Sequence, residues 1–237
     1  MNALEAISLS SFYGAQKVLE NFSLTVAPGE FVTLMGPSGS GKSTFLHVAT
    51  GLVRSAEGQV LINGSDITKM SDSKAARFRR RHIGVVFQAY NLLSTATVEE
   101  NIVMGVKLDK RPIDKKRLSY LIDKLGLGGL EKKKPDEISG GERQRTAIAR
   151  ALFPEPDLIL ADEPTGNLDI KTSKDICSLL SEIGKTEKSA ILLVTHDPVV
   201  AAAAKKVHFI KDGALVKSIE TCNDAALVSK AYLETYS

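Results

Sequence analysis

Between positions 36 and 44 the chain reads Gly36-Pro37-Ser38-Gly39-Ser40-Gly41-Lys42-Ser43-Thr44, residue types and spacing suited to holding a chain of phosphates. The glycines let backbone N–H groups turn inward, because no Cβ blocks the loop. Lys42 supplies a mobile positive charge for the outer phosphates, and the Ser43 hydroxyl is placed to ligate Mg²⁺. The apolar run Phe31–Met35 leads into the loop, and a helical stretch from Lys42 to about Thr50 leads out. A helix that begins on phosphates adds its positive dipole end and free N–H donors. Strand, glycine-rich loop and helix in that order make a P-loop in its required context.

Two further groups point to the same chemistry. Leu158–Ala161 is a short apolar run ending on two adjacent acids, Asp162 and Glu163. Side chains alternate along a strand, so these carboxylates point differently at its C-terminal end, which faces the ligand crevice in open α/β sheets. Alone they would read as solvated acids at a strand exit. Downstream of a P-loop, Asp162 is expected to hold Mg²⁺, and Glu163 to orient and polarise an attacking water. The third group is Ile138-Ser139-Gly140-Gly141-Glu142-Arg143-Gln144-Arg145. Its Ser-Gly-Gly turn opens a helix whose first N–H groups can grip an anion, although an ordinary serine N-cap reads the same way.

The elements that must position these residues alternate. Leu4–Leu9 and Leu19–Val26 read as strands, and Gln59–Ile62 with Asn63-Gly64 as a strand and hairpin turn. A basic helical stretch, Lys74–His82, precedes the strand Ile83–Phe87. From Ala89 to about Leu152 strand signals vanish, and helical segments take over at Thr97–Val106, Asp114–Leu125 and Gly141–Leu152. Strands return at Leu158–Ala161, Ala190–Thr195 and Val207–Ile210, and Asp212-Gly213 turns the chain into Ala214–Ile219. Strands alternating with helices predict an α/β protein with a parallel core. The middle segment reads as a helical insertion, not a second domain.

Composition supports a globular protein. The 237 residues are 43% hydrophobic and 25% charged, which excludes collagen, long coiled coil and wholesale disorder. Cys177 and Cys222 are too few for a disulfide framework and suit a reducing compartment. A net charge of +3 is too slight to indicate nucleic acid, and neither the run Arg77, Arg79, Arg80, Arg81, His82 nor Lys132-Lys133-Lys134 is interleaved with aromatics. Both runs could approach lipid headgroups or RNA, and both read first as solvated helix faces. The N-terminus has no basic n-region with an apolar core, which predicts no signal peptide, and no apolar run approaches a bilayer span.

In these motifs the sequence resembles the ATP-binding subunits of ATP-binding-cassette (ABC) transporters over nearly its whole length. Ile138–Glu142 stands where that family has LSGGQ, with Ile and Glu as departures. Gln88 takes the place of the Q-loop glutamine, Gly166-Asn167-Leu168-Asp169 the D-loop, His196 the switch histidine and Tyr13 the aromatic that stacks on adenine. The resemblance implies a RecA-like P-loop NTPase core with an N-terminal antiparallel β subdomain and an inserted α-helical subdomain. It further implies one cassette over 1–237, with 1–88 and 153–237 as the nucleotide-binding core and 89–152 as the insertion.

ATP and Mg²⁺ follow as cofactors, with Gly36 to Thr44 and Tyr13 on the nucleotide and Ser43, Gln88 and Asp162 on the metal. Glu163 is expected as base, with His196, Lys42 and Gln88 in the same machinery. Two copies would sandwich two ATP molecules, each P-loop facing Ser139, Gly140, Gly141 and Glu142 of the other copy. A separate membrane permease is the implied partner, met largely through residues 89–106, which would place the protein peripherally on the cytoplasmic side of the cell (inner) membrane.

The runs 139–152 and 161–169, with Phe87-Gln88-Ala89-Tyr90-Asn91-Leu92-Leu93 and Val194-Thr195-His196-Asp197-Pro198, look most like one subgroup. It comprises lipoprotein-releasing, macrolide-exporting and antimicrobial-peptide-resistance systems, and a cell-division pair whose membrane subunit signals and does not transport. Export of an amphiphile is the expected function, and mechanical signalling is the alternative.

Overall fold

The computed structural model describes every residue except Ala15 and Ala56, and the side chain of Tyr13. In chain order the strands and helices are β1 (Leu4–Tyr13), β2 (Gln16–Val26), β3 (Phe31–Met35), α1 (Lys42–Ala49), β4 (Glu57–Ile62) and β5 (Ser65–Asp66). Next come α2 (Asp72–His82), β6 (Ile83–Val86), α3 (Val98–Leu108), α4 (Lys115–Lys124), α5 (Gly140–Leu152) and β7 (Leu158–Asp162). The chain closes with α6 (Ile170–Thr186), β8 (Ala190–Thr195), α7 (Pro198–Ala201), β9 (Lys206–Lys211), β10 (Ala214–Glu220) and α8 (Ala225–Tyr236).

Two sheets result. The larger runs β10-β9-β3-β8-β7-β6, parallel except for the β9–β10 hairpin, and the smaller is antiparallel in the order β2-β1-β4-β5. The parallel strands β3 and β8 are buried at every position. That is why their sequences are continuous apolar runs: both faces are covered. Ile159, Ala161, Ile191 and Leu193 join a core with α3, α4, α5 and α6. Their alternates Leu158, Leu160, Leu192 and Val194 face a second core with Phe45 of α1 and the small sheet. The strands thus bind two layers, and their C-terminal ends come together at one edge.

Turn chemistry sets the hairpins. Asn63 and Gly64 have φ of 46° and 76°, and Asp212 and Gly213 have 49° and 79°. Both central residues are left-handed, the backbone that two-residue hairpins require and that Asn-Gly and Asp-Gly favour. Among the described residues no strand lies between β6 and β7. The helices there are well capped: Thr97 and Ser139 form capping boxes with Glu100 and Glu142, and Asp114 caps α4.

The structure departs from expectation in several places. Strand β1 runs four residues past the expected Leu9, β2 begins three residues before Leu19, β4 begins two before Gln59, and the short β5 was not expected. The strand before Gln88 ends at Val86, one residue early. Helix α8 was not foreseen; its buried residues are only Val228 and Ala231, too thin a stripe to show periodicity. The basic run is only partly the solvated face expected: Arg77 and Arg81 are exposed, but from Arg79 on the side chains are tied to other elements. Arg79 donates to Thr50 O and Gly51 O, Arg80 and Arg81 pair with the buried Asp109, and His82 Nδ1 lies 2.7 Å from Asp157 Oδ2. Among the described residues no helix is long and apolar enough to cross a membrane.

Candidate nucleotide site

The loop after β3 is held from three sides. Gly41, the N-cap of α1, has φ 104°, and a Cβ there would stand 2.8 Å from Val18 O of β2. Gly213, in the β9–β10 turn, meets the same carbonyl: its Cβ would be 2.3 Å away. Gly213 N–H donates to Ser40 O at 3.1 Å, and Glu20 N–H to Gly213 O at 3.1 Å. Strand β2 of the small sheet is therefore wedged against the loop through two positions that admit no side chain. Gly36 is fixed similarly, since a Cβ would meet Ile210 O at 2.5 Å.

Lys42 is buried, and its ammonium donates to Gly36 O and Pro37 O, each at 2.7 Å. Burial lowers its pKa, while the nearby charges of Glu163 and Asp162 oppose that effect. A buried ammonium whose nearest partners are backbone carbonyls is poised for a stronger anion. Lys42, Ser43 and Thr44 line a cavity of about 350 Å³ together with Ser38, Gly39 and Glu163. The acid beyond β7 and the phosphate loop thus face one space.

The two acids differ as alternation predicts. Asp162 ends β7; burial raises its carboxyl pKa, and the charge of Glu163 adds to this. Its buried Oδ1 has no hydrogen-bond partner among the described residues. An orphaned carboxylate oxygen at the end of β7 and an exposed Ser43 hydroxyl are the oxygen donors that fit Mg²⁺, which takes ligands from one or two protein groups and from phosphates. Glu163 has a left-handed backbone, φ 45°. For a side-chain-bearing residue that costs energy, and such outliers gather at functional sites. Its carboxylate is gripped on both oxygens: Thr195 Oγ1 donates to Oε2 at 3.0 Å, and His196 Nδ1 is 2.7 Å from Oε1.

Gln88 and the 166–169 loop meet beside this pair. Asn167 Nδ2 donates to Gln88 O at 3.0 Å, and the Gln88 amide lies against Gly166, where a Cβ would be 2.8 Å from Nε2. Ser139 to Glu142 stand apart. They begin α5, line no part of the cavity at Lys42, and satisfy themselves: Glu142 accepts from Ser139 N–H at 2.7 Å and from its hydroxyl at 2.9 Å. Those two donors hold the Glu142 carboxyl below its ordinary pKa.

A model of the ABC transporter family matches residues 19–166. The chain belongs to the ABC transporter family. It is 43% identical to the ABC transporter ATP-binding protein YxdL of Bacillus subtilis over 92% of this chain and 87% of that one. Against the bacitracin export ATP-binding protein BceA of Halalkalibacterium halodurans it is 41% identical over 90% and 87%. Among solved structures, a dimeric post-hydrolysis state of the ATP-binding cassette MJ0796 bound to ADP and Pi superposes with a TM-score of 0.83, at 34% identity, covering 92% of this chain and 98% of that one. The fold is the P-loop NTPase fold of ABC cassettes, and the chain is an ABC ATPase.

Within this cassette the single chain brings Gly36–Thr44, Asp162, Glu163, His196 and Gln88 to one edge of the large sheet and leaves 139–142 on a separate helix end. Tyr13 ends β1, but its side chain lies outside the described residues. Sequence reading missed Thr195, Val18 and Gly213. Thr195 carried a signal, since it immediately precedes His196 at the end of a strand parallel to β7. Val18 acts through its carbonyl, so its side-chain type carried none.

Proposed function

We propose that the chain is the ATP-hydrolysing subunit of an ABC exporter that works through a separate membrane subunit, and that Glu163 is its general base. The observation that carries this reading is the shared cavity: Lys42 and Ser43 from the phosphate loop face Glu163, itself fixed by Thr195 and His196. On this reading Gly36–Thr44 wrap the phosphates, Lys42 neutralises them, and Ser43, Asp162 and Gln88 hold Mg²⁺, which when bound would offset charge on the outer phosphates. Glu163 accepts the proton of the attacking water, and His196 leaves its carboxylate for the outer phosphate. Tyr13 stacks on the base.

Ser139, Gly140, Gly141 and Glu142 serve the site of a second copy, so the working unit is a homodimer closed on two ATP molecules. The dimeric cassette at 34% identity supports this. The segment 89–152 is the helical insertion of a single cassette spanning 1–237. Its 89–106 face meets the permease at the cytoplasmic side of the membrane, where Phe87, Asn91, Met104, Leu108 and Arg150 line a groove of about 280 Å³. The cargo class is an amphiphile, such as an antimicrobial peptide, drug or lipoprotein, consistent with 41% identity to a bacitracin export subunit.

The test is ATP hydrolysis and mass by light scattering for the full chain and for Glu163→Gln. The substitution should slow turnover about 10²- to 10⁴-fold and trap an ATP-bound dimer of doubled mass. Near-normal turnover would remove Glu163 from the role of base, and a monomer with MgATP at saturation would remove the sandwich.

A further inference from the structure

The last turn of α8 reaches the floor of the phosphate loop. The Tyr236 hydroxyl lies 2.8 Å from Ile210 O and 3.1 Å from Met35 O, a donor shared between β9 and β3. Met35 is the residue before Gly36, and the β3–β9 ladder ends at its pairing with Phe209. The phenol therefore ties the two strands together where the chain leaves the sheet to form the loop. Ile210 O is also the atom that Gly36 lies against, and Gly36 O in turn accepts the Lys42 ammonium at 2.7 Å. Phenol, Ile210 carbonyl, Gly36 and Lys42 make one unbroken series of contacts.

The ring is seated so that this hydroxyl has little choice of partner. Tyr232 stands with its ring centroid 4.6 Å away and Phe209 at 6.4 Å. Burial raises the phenol's pKa far above the ordinary value, so it remains a protonated donor throughout the neutral range. A phenol that only filled space would not need two carbonyl acceptors from different strands, both adjoining one glycine.

We propose that Tyr236 is a positioning residue for the phosphate loop: its hydroxyl fixes the Met35 and Ile210 carbonyls, these set the seat of Gly36 and Lys42, and nucleotide affinity depends on that seat. The proposal rests on reading Gly36–Thr44 as the nucleotide loop. It makes α8, none of whose residues lines the cavity at Lys42, part of the binding machinery.

The experiment is calorimetric titration of the full chain with MgADP, alongside thermal melting, for the wild type, Tyr236→Phe, Tyr232→Phe and Lys42→Ala. Loss of one well-placed hydrogen bond should raise the MgADP Kd of Tyr236→Phe about three- to tenfold, with the melting temperature kept within about 2 °C. In steady state the ATP KM should rise by the same factor while kcat holds, and Tyr232→Phe should match the wild type. A Tyr236→Phe Kd within about twofold of wild type overturns the proposal, whatever happens to melting. If Lys42→Ala binds MgADP like the wild type, it is the nucleotide-loop reading that fails instead. A measurement without variants guards against misfolding. Coupling is reciprocal, so MgADP must slow amide exchange in the last turn of α8 in the wild-type chain. Unchanged exchange there also overturns the proposal.

Discussion

The phosphate loop and the start of α5 are both glycine-rich turns that open helices, yet they are held in opposite ways. The loop at 36–43 leans on other parts of the chain: Val18 of β2, Ile210 of β9 and Gly213 of the β9–β10 turn each touch a glycine that admits no side chain. Ser139 and Glu142 lean on each other, in a capping box closed within four residues of sequence. One turn is seated by the whole fold before any ligand arrives. The other completes its own hydrogen bonds, and its one tight glycine, Gly141, meets only a side chain, Thr172 Cγ2 at 2.9 Å from its Cβ. On the proposed dimer this contrast has a use: the half that would grip is built into the core, and the half that would arrive and leave closes its hydrogen bonds locally.

The contrast breaks most sharply at Lys42. Lys42→Ala removes the buried charge that the loop exists to place, and ATP hydrolysis is expected to fall about 10²- to 10³-fold, measured as phosphate release. Equal weakening of MgADP binding to the isolated chain by Lys42→Ala and by Glu142→Gln would erase the distinction between the two turns. Next in size is Gly213→Val. It puts a branched side chain on a left-handed residue with Val18 O at 2.3 Å from its Cβ, and should cost about 2 kcal/mol in denaturant unfolding together with weakened MgADP binding. Stability loss with intact binding would mean that the wedge of β2 does not shape the loop.

Ser139→Ala should do the reverse. Removing an N-cap costs about 1 kcal/mol of stability, and on the proposal that the residue serves a neighbour's site MgADP binding by the isolated chain should be unchanged. The smallest effect belongs to Glu142→Gln. The Glu142 carboxyl is held below the ordinary value of 4.5 by the Ser139 N–H and hydroxyl, so its contribution is present above that pH and lost as pH falls through the lower folded value. The wild type should exceed Glu142→Gln by about 0.3–0.5 kcal/mol at pH 7, and the gap should close by strongly acid pH in paired unfolding titrations.

What could be read from the residues follows the same division. Motifs whose parts lie side by side were legible: the loop, the Asp162-Glu163 end of a strand, the Ser-Gly-Gly opening of a helix and the two left-handed hairpin turns. So was the parallel core, because strands covered on both faces must be apolar throughout. What escaped depends on partners far along the chain. Arg80 and Arg81 read as solvated until Asp109 supplied a buried carboxylate, and His82 until Asp157 did. Thr195 and Val18 act on the site through one hydroxyl and one carbonyl, atoms that spacing does not expose. Helix α8 shows only two buried small residues, so its hold on the site through Tyr236 had no periodic signal.

The sheet order has a consequence in time. β3 carries the loop at Phe31–Met35, but its neighbours in the sheet are β8 and β9, which begin more than 150 residues later, at Ala190 and Lys206. Contacts of such long sequence separation form slowly, and a chain emerging from the ribosome makes them only after β8 and β9 have been synthesised. The phosphate loop is therefore translated early and seated late. During that interval the apolar β3 has no partner strand, and a newborn cassette is exposed to aggregation until residues beyond 206 have emerged.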